Sequence, residues 1–299
     1  MRATVTGDFG REYLAEGEDG KPLVCTRKGK KQDVACGDFV EVSISSPGHA
    51  RIDEIHERRN VLFRKDAWRE KTLAANIDQA VIIIAPRPSF SEMFLNLCLV
   101  ACEAAGIKPF IMLNKKDLPE FEEARDSLAY FAKIGYPVMP MSAKFDVEPL
   151  RPYLDGKTTL LVGQSGMGKS RTVNNLLMRD VAKEADFSEA LDSGKHTTTY
   201  TRMYRLDDKT AIMDSPGLQS FGLMHLPDED IAYGMPDFRQ FIGTCKFNDC
   251  AHLDEPGCKI IAAGEQGKIN ASRLTFYQVL IEQQRELRVA HPEWKKYGK

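Results

Sequence analysis

The chain has 299 residues, more than a single hydrophobic core usually organises, so we expect two or three domains. Its formal net charge is -2, which excludes a globally basic nucleic-acid-binding protein and leaves any RNA contact to local patches. No stretch approaches the roughly 18 apolar residues of a membrane span, and the N-terminus lacks the apolar core of a signal peptide, so we expect a cytoplasmic protein with no membrane partner.

Residues 1 to about 66 carry short strand-like runs separated by glycine-bearing turns. The pattern predicts strands at residues 4–6, 22–26, 38–44 and 51–55. Several short strands at near-even spacing favour a small barrel such as an OB-fold. The basic turn at residues 27–31 is either a solvated loop or a contact for a phosphate backbone.

From about residue 70 to residue 220, apolar strands alternate with helical segments. The alternation is typical of a mostly parallel sheet with helices on both faces. The predicted strands are residues 79–85, 109–113, 137–141, 158–162 and 211–213. The predicted helices are residues 90–105, 119–134 and 172–177, with a short one before Leu154 and a last long one at residues 270–290.

A complete phosphate-binding motif follows the strand at residues 158–162, where the eight residues from Gly163 to Ser170 match G-x-x-x-x-G-K-[ST]. Its glycines let backbone N–H groups curl around an anion, and the following helix adds its partial positive charge. We expect Lys169 to reach the β- and γ-phosphates and the Ser170 hydroxyl to bind Mg²⁺. A glycine-rich turn without a ligand is the alternative. The predicted phosphate-contacting residues are Gly163, Gln164, Ser165, Gly166, Met167, Gly168, Lys169, Ser170 and Arg171.

Two short motifs indicate which base is bound. The N-K-K-D run from Asn114 to Asp117 follows a predicted strand, where open α/β sheets bind their ligands. A carboxylate at Asp117 accepts hydrogen bonds from N1–H and the 2-amino group of guanine, whereas adenine would leave it unpaired. Sites of this kind discriminate by about 10⁴ or more. We expect Lys115 to lie over the base and the segment at residues 142–144 to offer a backbone N–H to the guanine carbonyl. The predicted base-contacting residues are Asn114, Lys115, Lys116, Asp117, Ser142, Ala143 and Lys144.

The order of these motifs is unusual. In common G proteins the phosphate loop comes first and the base motifs come last, whereas here the base motifs come first, so we predict a circularly permuted GTPase that binds GTP and GDP. Residues 194–199 have the place and the hydroxyls of a first switch loop, and Asp214 ends a predicted strand, where it is expected to hold Mg²⁺ through water. The magnesium and switch candidates are Ser170, Thr197, Thr198, Thr199, Asp214 and Gly217, and the choice among the three threonines stays open.

The residue that orients the attacking water is a separate question. Many GTPases carry a glutamine at the position of Leu218, and leucine cannot perform that role. His196 in the first switch loop is the candidate catalytic residue, because imidazole can orient water near neutral pH. A histidine that only packs or caps the loop is the alternative. We predict slow hydrolysis by the protein alone and acceleration by a partner that orders the switch.

The seven cysteines are unevenly distributed. Three thiols and one imidazole, Cys245, Cys250, His252 and Cys258, lie within fourteen residues and fit one structural Zn²⁺ with a closed, tetrahedral ligand set. Reduced core cysteines are the alternative for this cluster. The other four cysteines, Cys25, Cys36, Cys98 and Cys102, are predicted to be core thiols.

With these residues the chain resembles a known family, the bacterial ribosome small-subunit-dependent GTPase A, which is a circularly permuted GTPase. The resemblance covers nearly the whole chain, including the run at residues 74–79 that leads into the GTPase domain, and residues 194–199 and the cysteine cluster are its most specific parts. It implies a role in late maturation of the small ribosomal subunit, rRNA contact through the barrel and the zinc domain, and hydrolysis stimulated by that subunit. Lys195 departs from the arginine often seen before the family's switch histidine, which leaves the stimulated mechanism open.

We therefore predict a multidomain protein with three parts. Residues 1–66 form an all-β, OB-like RNA-binding barrel, residues 67–225 a permuted α/β P-loop GTPase domain, and residues 226–299 a mostly helical zinc-binding domain. The expected cofactors are Zn²⁺ and Mg²⁺, the expected partners are the small ribosomal subunit and its rRNA, and the expected state is a monomer. The alternatives are an RNA-binding adaptor for which hydrolysis is incidental, an ATP-using P-loop enzyme, and a permuted GTPase serving the large subunit.

Overall fold

The structure is a computed structural model that describes residues 1–27, 33–66, 69–177, 200–215 and 221–292. Its strands are β1 Arg2–Asp8, β2 Glu12–Gly17, β3 Pro22–Arg27, β4 Phe39–Ser46, β5 His49–Ile55, β6 Val61–Asp66, β7 Arg69–Ala75, β8 Gln79–Ile84, β9 Lys108–Leu113, β10 Val138–Pro140, β11 Thr158–Val162, β12 Arg202–Arg205 and β13 Ala211–Asp214. Its α-helices are α1 Glu92–Ala104, α2 Phe121–Ser127, α3 Ala129–Lys133, α4 Arg151–Leu154, α5 Lys169–Leu177, α6 Asp228–Tyr233, α7 Lys259–Glu265 and α8 Ala271–Ala290.

The N-terminal strands close into a barrel in the order β1-β2-β3-β5-β4, and β4 pairs back with β1. Side chains alternate along β1, so that Ala3 and Val5 face a small core that also contains Val40 and Ile52. The predicted OB-like barrel is confirmed. The strand β2 was not predicted, because its two glutamates, its terminal glycine and its lack of β-branched residues give a weak local signal. Pairing with β1 and β3 stabilises it.

A two-stranded hairpin, β6 and β7, lies between the barrel and the central sheet. The backbone N–H of Gly222 donates to the carbonyl oxygen of Phe63 at 2.9 Å, so the chain at residues 221–222 runs beside β6. The predicted domain boundary at residues 66 and 67 lies inside this hairpin. The hairpin's two strands were not predicted as separate elements.

The central sheet has the order β10-β9-β8-β11-β13-β12, in which all pairs are parallel except β12 with β13. Every residue of β8 is buried, as a strand covered on both faces requires. The short helix α4 precedes β11, so the connection from β10 to β11 joins what would be the two ends of an unpermuted sheet. The predicted α/β domain in permuted order is confirmed.

One helix differs from its prediction. Residues 119–134 form two helices, α2 and α3, instead of one. The chain turns at Leu128, which is buried, and this break lets Phe121 and Phe131 reach the same core. The helical period of the sequence continues through the turn and does not reveal it.

The joint between the barrel and the central sheet is built by the run at residues 74–79. Asn76 adopts φ +57° and its side-chain nitrogen donates to the Gly37 carbonyl oxygen at 2.9 Å. Arg59 donates from its backbone to the Asn76 side-chain oxygen and from its guanidinium to Asp78 at 2.7 Å. The barrel is therefore held against the sheet by polar contacts at several consecutive residues.

The C-terminal region packs its helices onto α1. Ile260, Phe276 and Ile281 belong to the same hydrophobic core as Ile82 and Leu99 of the central domain. The core is therefore continuous across the predicted boundary at residues 225 and 226. Within the described residues, the structure contains no helix that is both long and apolar enough to span a membrane.

Candidate nucleotide-binding and metal sites

The phosphate loop lies between β11 and α5, and its glycines explain its shape. Gly166 and Gly168 have φ +81° and φ +98°, which favour glycine because an L side chain is strained there. At Gly163 an added Cβ would lie 2.6 Å from the carbonyl oxygen of Ile83, so this position admits no side chain without displacing β8. The loop is thereby packed directly against the neighbouring strand.

Asn114 joins the base motif to the phosphate loop. Its side-chain nitrogen donates to the Met167 carbonyl oxygen at 2.8 Å, and its side-chain oxygen accepts from the N–H of Ala143 at 2.9 Å. A Cβ at Gly168 would lie 2.2 Å from the same side-chain nitrogen, so Gly168 is needed for this approach. Three segments that are distant in the sequence therefore meet at the carboxyl ends of their strands.

The rest of the base motif lies beside Asn114 and is partly or fully exposed. The carboxylate of Asp117 is exposed and accepts a hydrogen bond from the Ser142 hydroxyl at 2.5 Å, which lowers the pKa of that carboxyl. Lys115 has φ +63°, and its ammonium group donates to the Gly166 carbonyl oxygen at 2.7 Å. Lys116 and Lys144 are exposed beside them.

Lys169 and Asp214 contact each other, although the sequence predicts that the first binds the phosphates and the second the magnesium ion. Lys169 and Asp214 form a buried ion pair between the start of α5 and the end of β13. Burial raises the pKa of the Asp214 carboxyl, and the Lys169 ammonium opposes that shift. Ser170 is exposed at the first turn of α5, and Ser215 donates to the Leu161 carbonyl oxygen at 2.9 Å, which anchors the end of β13.

The remaining residues of the phosphate loop differ in their surroundings. Met167 is buried, whereas Ser165 and Arg171 are exposed. The side-chain oxygen of Gln164 accepts from the N–H of Ser91, the residue that caps α1. The sequence reasoning did not identify Ser91, and it could not, because no motif links residues 91 and 164.

Several predicted residues lie outside the described part of the chain. They are the basic turn beyond Arg27, the candidate catalytic His196, the threonines Thr197, Thr198 and Thr199, and Gly217 with Leu218 of the second switch.

The second cluster is the predicted metal site. The ligand atoms of Cys245, Cys250, His252 and Cys258 all lie within 4.8 Å of one another. The Cys245 and Cys258 sulfurs are 3.9 Å apart, and His252 Nδ1 lies 3.7 Å and 3.4 Å from them. A tetrahedral ion with Zn–S of about 2.3 Å and Zn–N of about 2.0 Å requires S···S separations of about 3.8 Å and S···N separations of about 3.5 Å. The four residues therefore fit a structural zinc ion.

The surroundings of this cluster support the same interpretation. Burial raises the pKa of the Cys250 thiol to about 12, and burial lowers the pKa of His252. A divalent cation would reverse the first effect by favouring thiolates. Gly257 has φ +81° and precedes Cys258, so the turn that brings in the last ligand uses a backbone conformation that favours glycine. The other four cysteines are buried, as predicted for core thiols.

Fold and site together define the class. The sheet is mostly parallel, and the phosphate loop follows the carboxyl end of β11. Because the base motifs precede that loop in the chain, this is a circularly permuted P-loop GTPase fold. The model of the RsgA GTPase family matches residues 55–224. The chain belongs to the RsgA GTPase family.

The relatives are similar over nearly their whole length. A protein of Nitrosospira multiformis named small ribosomal subunit biogenesis GTPase RsgA is 43% identical over 282 residues, which cover 94% of this chain and 90% of that protein. A protein of the same name from Neisseria meningitidis is 43% identical over 94% of this chain and 92% of its own length.

Solved structures agree with this assignment. YjeQ from Thermotoga maritima has a TM-score of 0.70 and 26% identity, covering 96% of this chain and 98% of that one. YloQ, described as a circularly permuted GTPase, has a TM-score of 0.66 and 26% identity, covering 97% of this chain and 95% of that one.

Proposed function

We propose that this protein is a GTPase of small ribosomal subunit biogenesis that binds the small subunit, assists its late maturation and hydrolyses GTP faster when bound. The family and the names of the relatives at 43% identity support the general role. Stimulation by the subunit and the late stage of action go beyond those names and rest on the family resemblance.

The observation that carries the nucleotide assignment is the position of Asn114. Its two hydrogen bonds, to Met167 and from Ala143, bring the base motifs and the phosphate loop to one pocket. In that pocket Asp117 selects guanine, Lys115 covers the base, and Lys169 binds the β- and γ-phosphates.

Ser170 and Asp214 are the residues that would hold a magnesium ion at the phosphates, Asp214 through water, and one of the threonines at residues 197–199 would join them when GTP is bound. The bound ion would supply positive charge that neutralises the phosphates. With nucleotide present, Lys169 and Asp214 would give up their mutual contact for contacts with the nucleotide and the ion.

The two flanking domains are proposed to contact rRNA. The barrel at residues 1–66 and the zinc segment at residues 226–299 lie on either side of the GTPase domain, residues 67–225, in the chain. Cys245, Cys250, His252 and Cys258 hold one structural zinc ion. A cytoplasmic monomer is the state in which such a factor would meet the ribosomal subunit.

Turnover assays test the function. Purified protein is mixed with GTP and with isolated small subunits, large subunits or neither, and phosphate release is measured. We expect slow release by the protein alone, faster release only with small subunits, and no competition by ATP. Equal rates in all three mixtures, with binding to small subunits intact, would instead identify an RNA-binding adaptor. Stimulation by large subunits alone would contradict the subunit assignment.

The base assignment has its own test. Asp117→Asn replaces the acceptor with an amide, so we expect preference to move from GTP to xanthosine triphosphate, whose 2-oxo group accepts the new hydrogen bond. Affinity for both nucleotides is measured by competition against a fluorescent GDP analogue. An unchanged preference for GTP would remove Asp117 from base recognition.

His196 is proposed to orient the attacking water. We expect His196→Ala to lower turnover in the presence of small subunits by about 10²-fold, within the range of lost acid–base catalysis, and to leave GTP affinity unchanged. Single-turnover kinetics with subunits separate hydrolysis from release. Normal stimulated turnover by the variant would exclude the histidine from the mechanism.

A further inference from the structure

The peptide unit between Ala143 and Lys144 is held from the side of the phosphate-loop helix. The side-chain nitrogen of Asn175, on α5, donates to the carbonyl oxygen of Ala143 at 2.7 Å. The N–H of Ala143 already donates to the side-chain oxygen of Asn114. Ala143 is therefore fixed at both its N–H and its carbonyl group by two asparagines.

These hydrogen bonds connect the base loop at residues 142–144 with the phosphate loop and with α5. Asn114 reaches the phosphate loop through the Met167 carbonyl, and Asn175 belongs to the helix that begins with Lys169 at the end of the same loop. The last turn of that helix is anchored in turn, because Arg151 donates to the Leu176 carbonyl oxygen at 3.0 Å. The base motifs are thus hydrogen-bonded both to the phosphate loop, through Asn114, and to the helix that follows it, through Asn175.

The hydrogen bond from Asn175 to the Ala143 carbonyl also fixes the direction in which the N–H of Lys144 points. In a trans peptide unit the carbonyl oxygen of one residue and the N–H of the next point in opposite directions. Because Asn175 holds the Ala143 carbonyl toward α5, the N–H of Lys144 points away from α5. Within the part of the chain that the structure describes, this N–H has no hydrogen-bond acceptor.

We propose that Asn175 is a positioning residue for guanine specificity, which aims the N–H of Lys144 at the 6-oxygen of the base. This proposal rests on the proposed function, and it identifies the N–H of Lys144 as the group that donates to the guanine 6-oxygen. Asn175 does not touch the base. It acts through the peptide that does, while Asp117 reads the N1–H and 2-amino side of the same ring.

The test compares two nucleotides and two variants. 6-Thioguanosine triphosphate keeps the groups that Asp117 binds but replaces the 6-oxygen with sulfur, a weak acceptor. Asn175→Leu keeps the branched shape of asparagine and removes the donor, whereas Asn175→Gln keeps an amide donor. Asn175 is exposed, so neither change opens a cavity in the core. Dissociation constants for both nucleotides and kcat with saturating GTP and small subunits are measured.

We expect Asn175→Leu to weaken GTP binding by about five-fold, the effect of one neutral hydrogen bond. Binding of the thio analogue should change by less than two-fold, kcat should be unchanged, and Asn175→Gln should recover part of the GTP affinity. Equal weakening for both nucleotides, or none for GTP, would overturn the proposal. A wild-type protein that does not prefer GTP to ATP would overturn the proposed function instead, so the two failures are distinguishable.

Discussion

At the scale of single residues, the nucleotide site depends on a close approach that only glycine permits. Gly168 combines φ +98° with a missing Cβ that would otherwise lie 2.2 Å from the Asn114 side-chain nitrogen. The consensus motif requires a glycine here for the phosphate, and the structure adds a second reason, which is the bond from Asn114 to the loop.

Gly168→Ala should therefore abolish tight GTP binding. Gly135→Ala is the matched control, because Gly135 has φ +103° and nothing within 4 Å of an added Cβ. We expect the control to lose only about 1–2 kcal/mol of unfolding free energy from backbone strain and to bind GTP normally. Calorimetric titration with GTP and urea unfolding measure the two effects. Normal GTP binding by Gly168→Ala would show that the approach of Asn114 is dispensable.

At the scale of elements, the loop that carries the metal cluster is hydrogen-bonded to α8, the long helix at Ala271–Ala290. The Tyr277 hydroxyl donates to the Ala251 carbonyl oxygen at 3.0 Å, and the Gln278 amide donates to the Leu253 carbonyl oxygen at 2.8 Å. Both acceptors lie within the loop that carries the four ligands. A loop this short, with little regular secondary structure of its own, commonly needs a metal to hold its shape.

We expect one zinc ion per chain, and we expect Cys258→Ser to lose it and to lower the midpoint of thermal unfolding. Cys102→Ala is the control, because Cys102 is a buried thiol of α1 away from the cluster and should retain full zinc content. Atomic emission on dialysed protein measures the metal. Full zinc content in the Cys258 variant would contradict the four-ligand assignment.

At the scale of the whole molecule, a buried polar network around Arg273 and Asp237, both in the C-terminal segment, joins that segment to Asn96 and Tyr130 of the GTPase domain. Arg273 on α8 donates to both carboxylate oxygens of Asp237, at 2.9 Å and 2.7 Å, and to the side-chain oxygen of Asn96 on α1 at 2.6 Å. Tyr130 on α3 donates to the same carboxylate at 3.1 Å. The chain runs from Asp214 directly into the C-terminal region, and this permuted order predicts that loss of the γ-phosphate moves the cysteine-bearing segment. That remains a prediction, and a rigid-body movement would have to break this buried network.

Removing one partner of the Arg273–Asp237 ion pair should destabilise the folded protein. We expect Arg273→Met to lower the unfolding free energy by about 3–5 kcal/mol, because Asp237 would stay buried without its counter-ion. Arg285→Met on the same helix breaks a pair with Asp228 in which the arginine is exposed and the aspartate keeps a second partner, Arg288, so it should cost less than about 1 kcal/mol. Urea unfolding of both variants makes the comparison. Equal losses would show that Arg273 does not hold the two regions together.

The sequence by itself determined the kind of chemistry and the order of the parts. The phosphate motif, the guanine motif before it and the cysteine cluster are local patterns. Their residue types and spacing indicate the ligand that each binds, so they can be recognised without knowing the fold. The burial of β8 and the alternation along β1 likewise follow from side-chain period. Local pattern also had limits, since β2, the hairpin of β6 and β7 and the break at Leu128 exist only through pairing and packing with distant residues.

Only the tertiary structure decided which distant residues meet. Asn114 with Ala143, Asn175 with the same residue, and Arg273 with Asp237 are contacts between segments tens of residues apart. No periodicity or motif encodes such pairs, because a hydrogen bond depends on the positions of two atoms, and the path of the whole chain sets those positions.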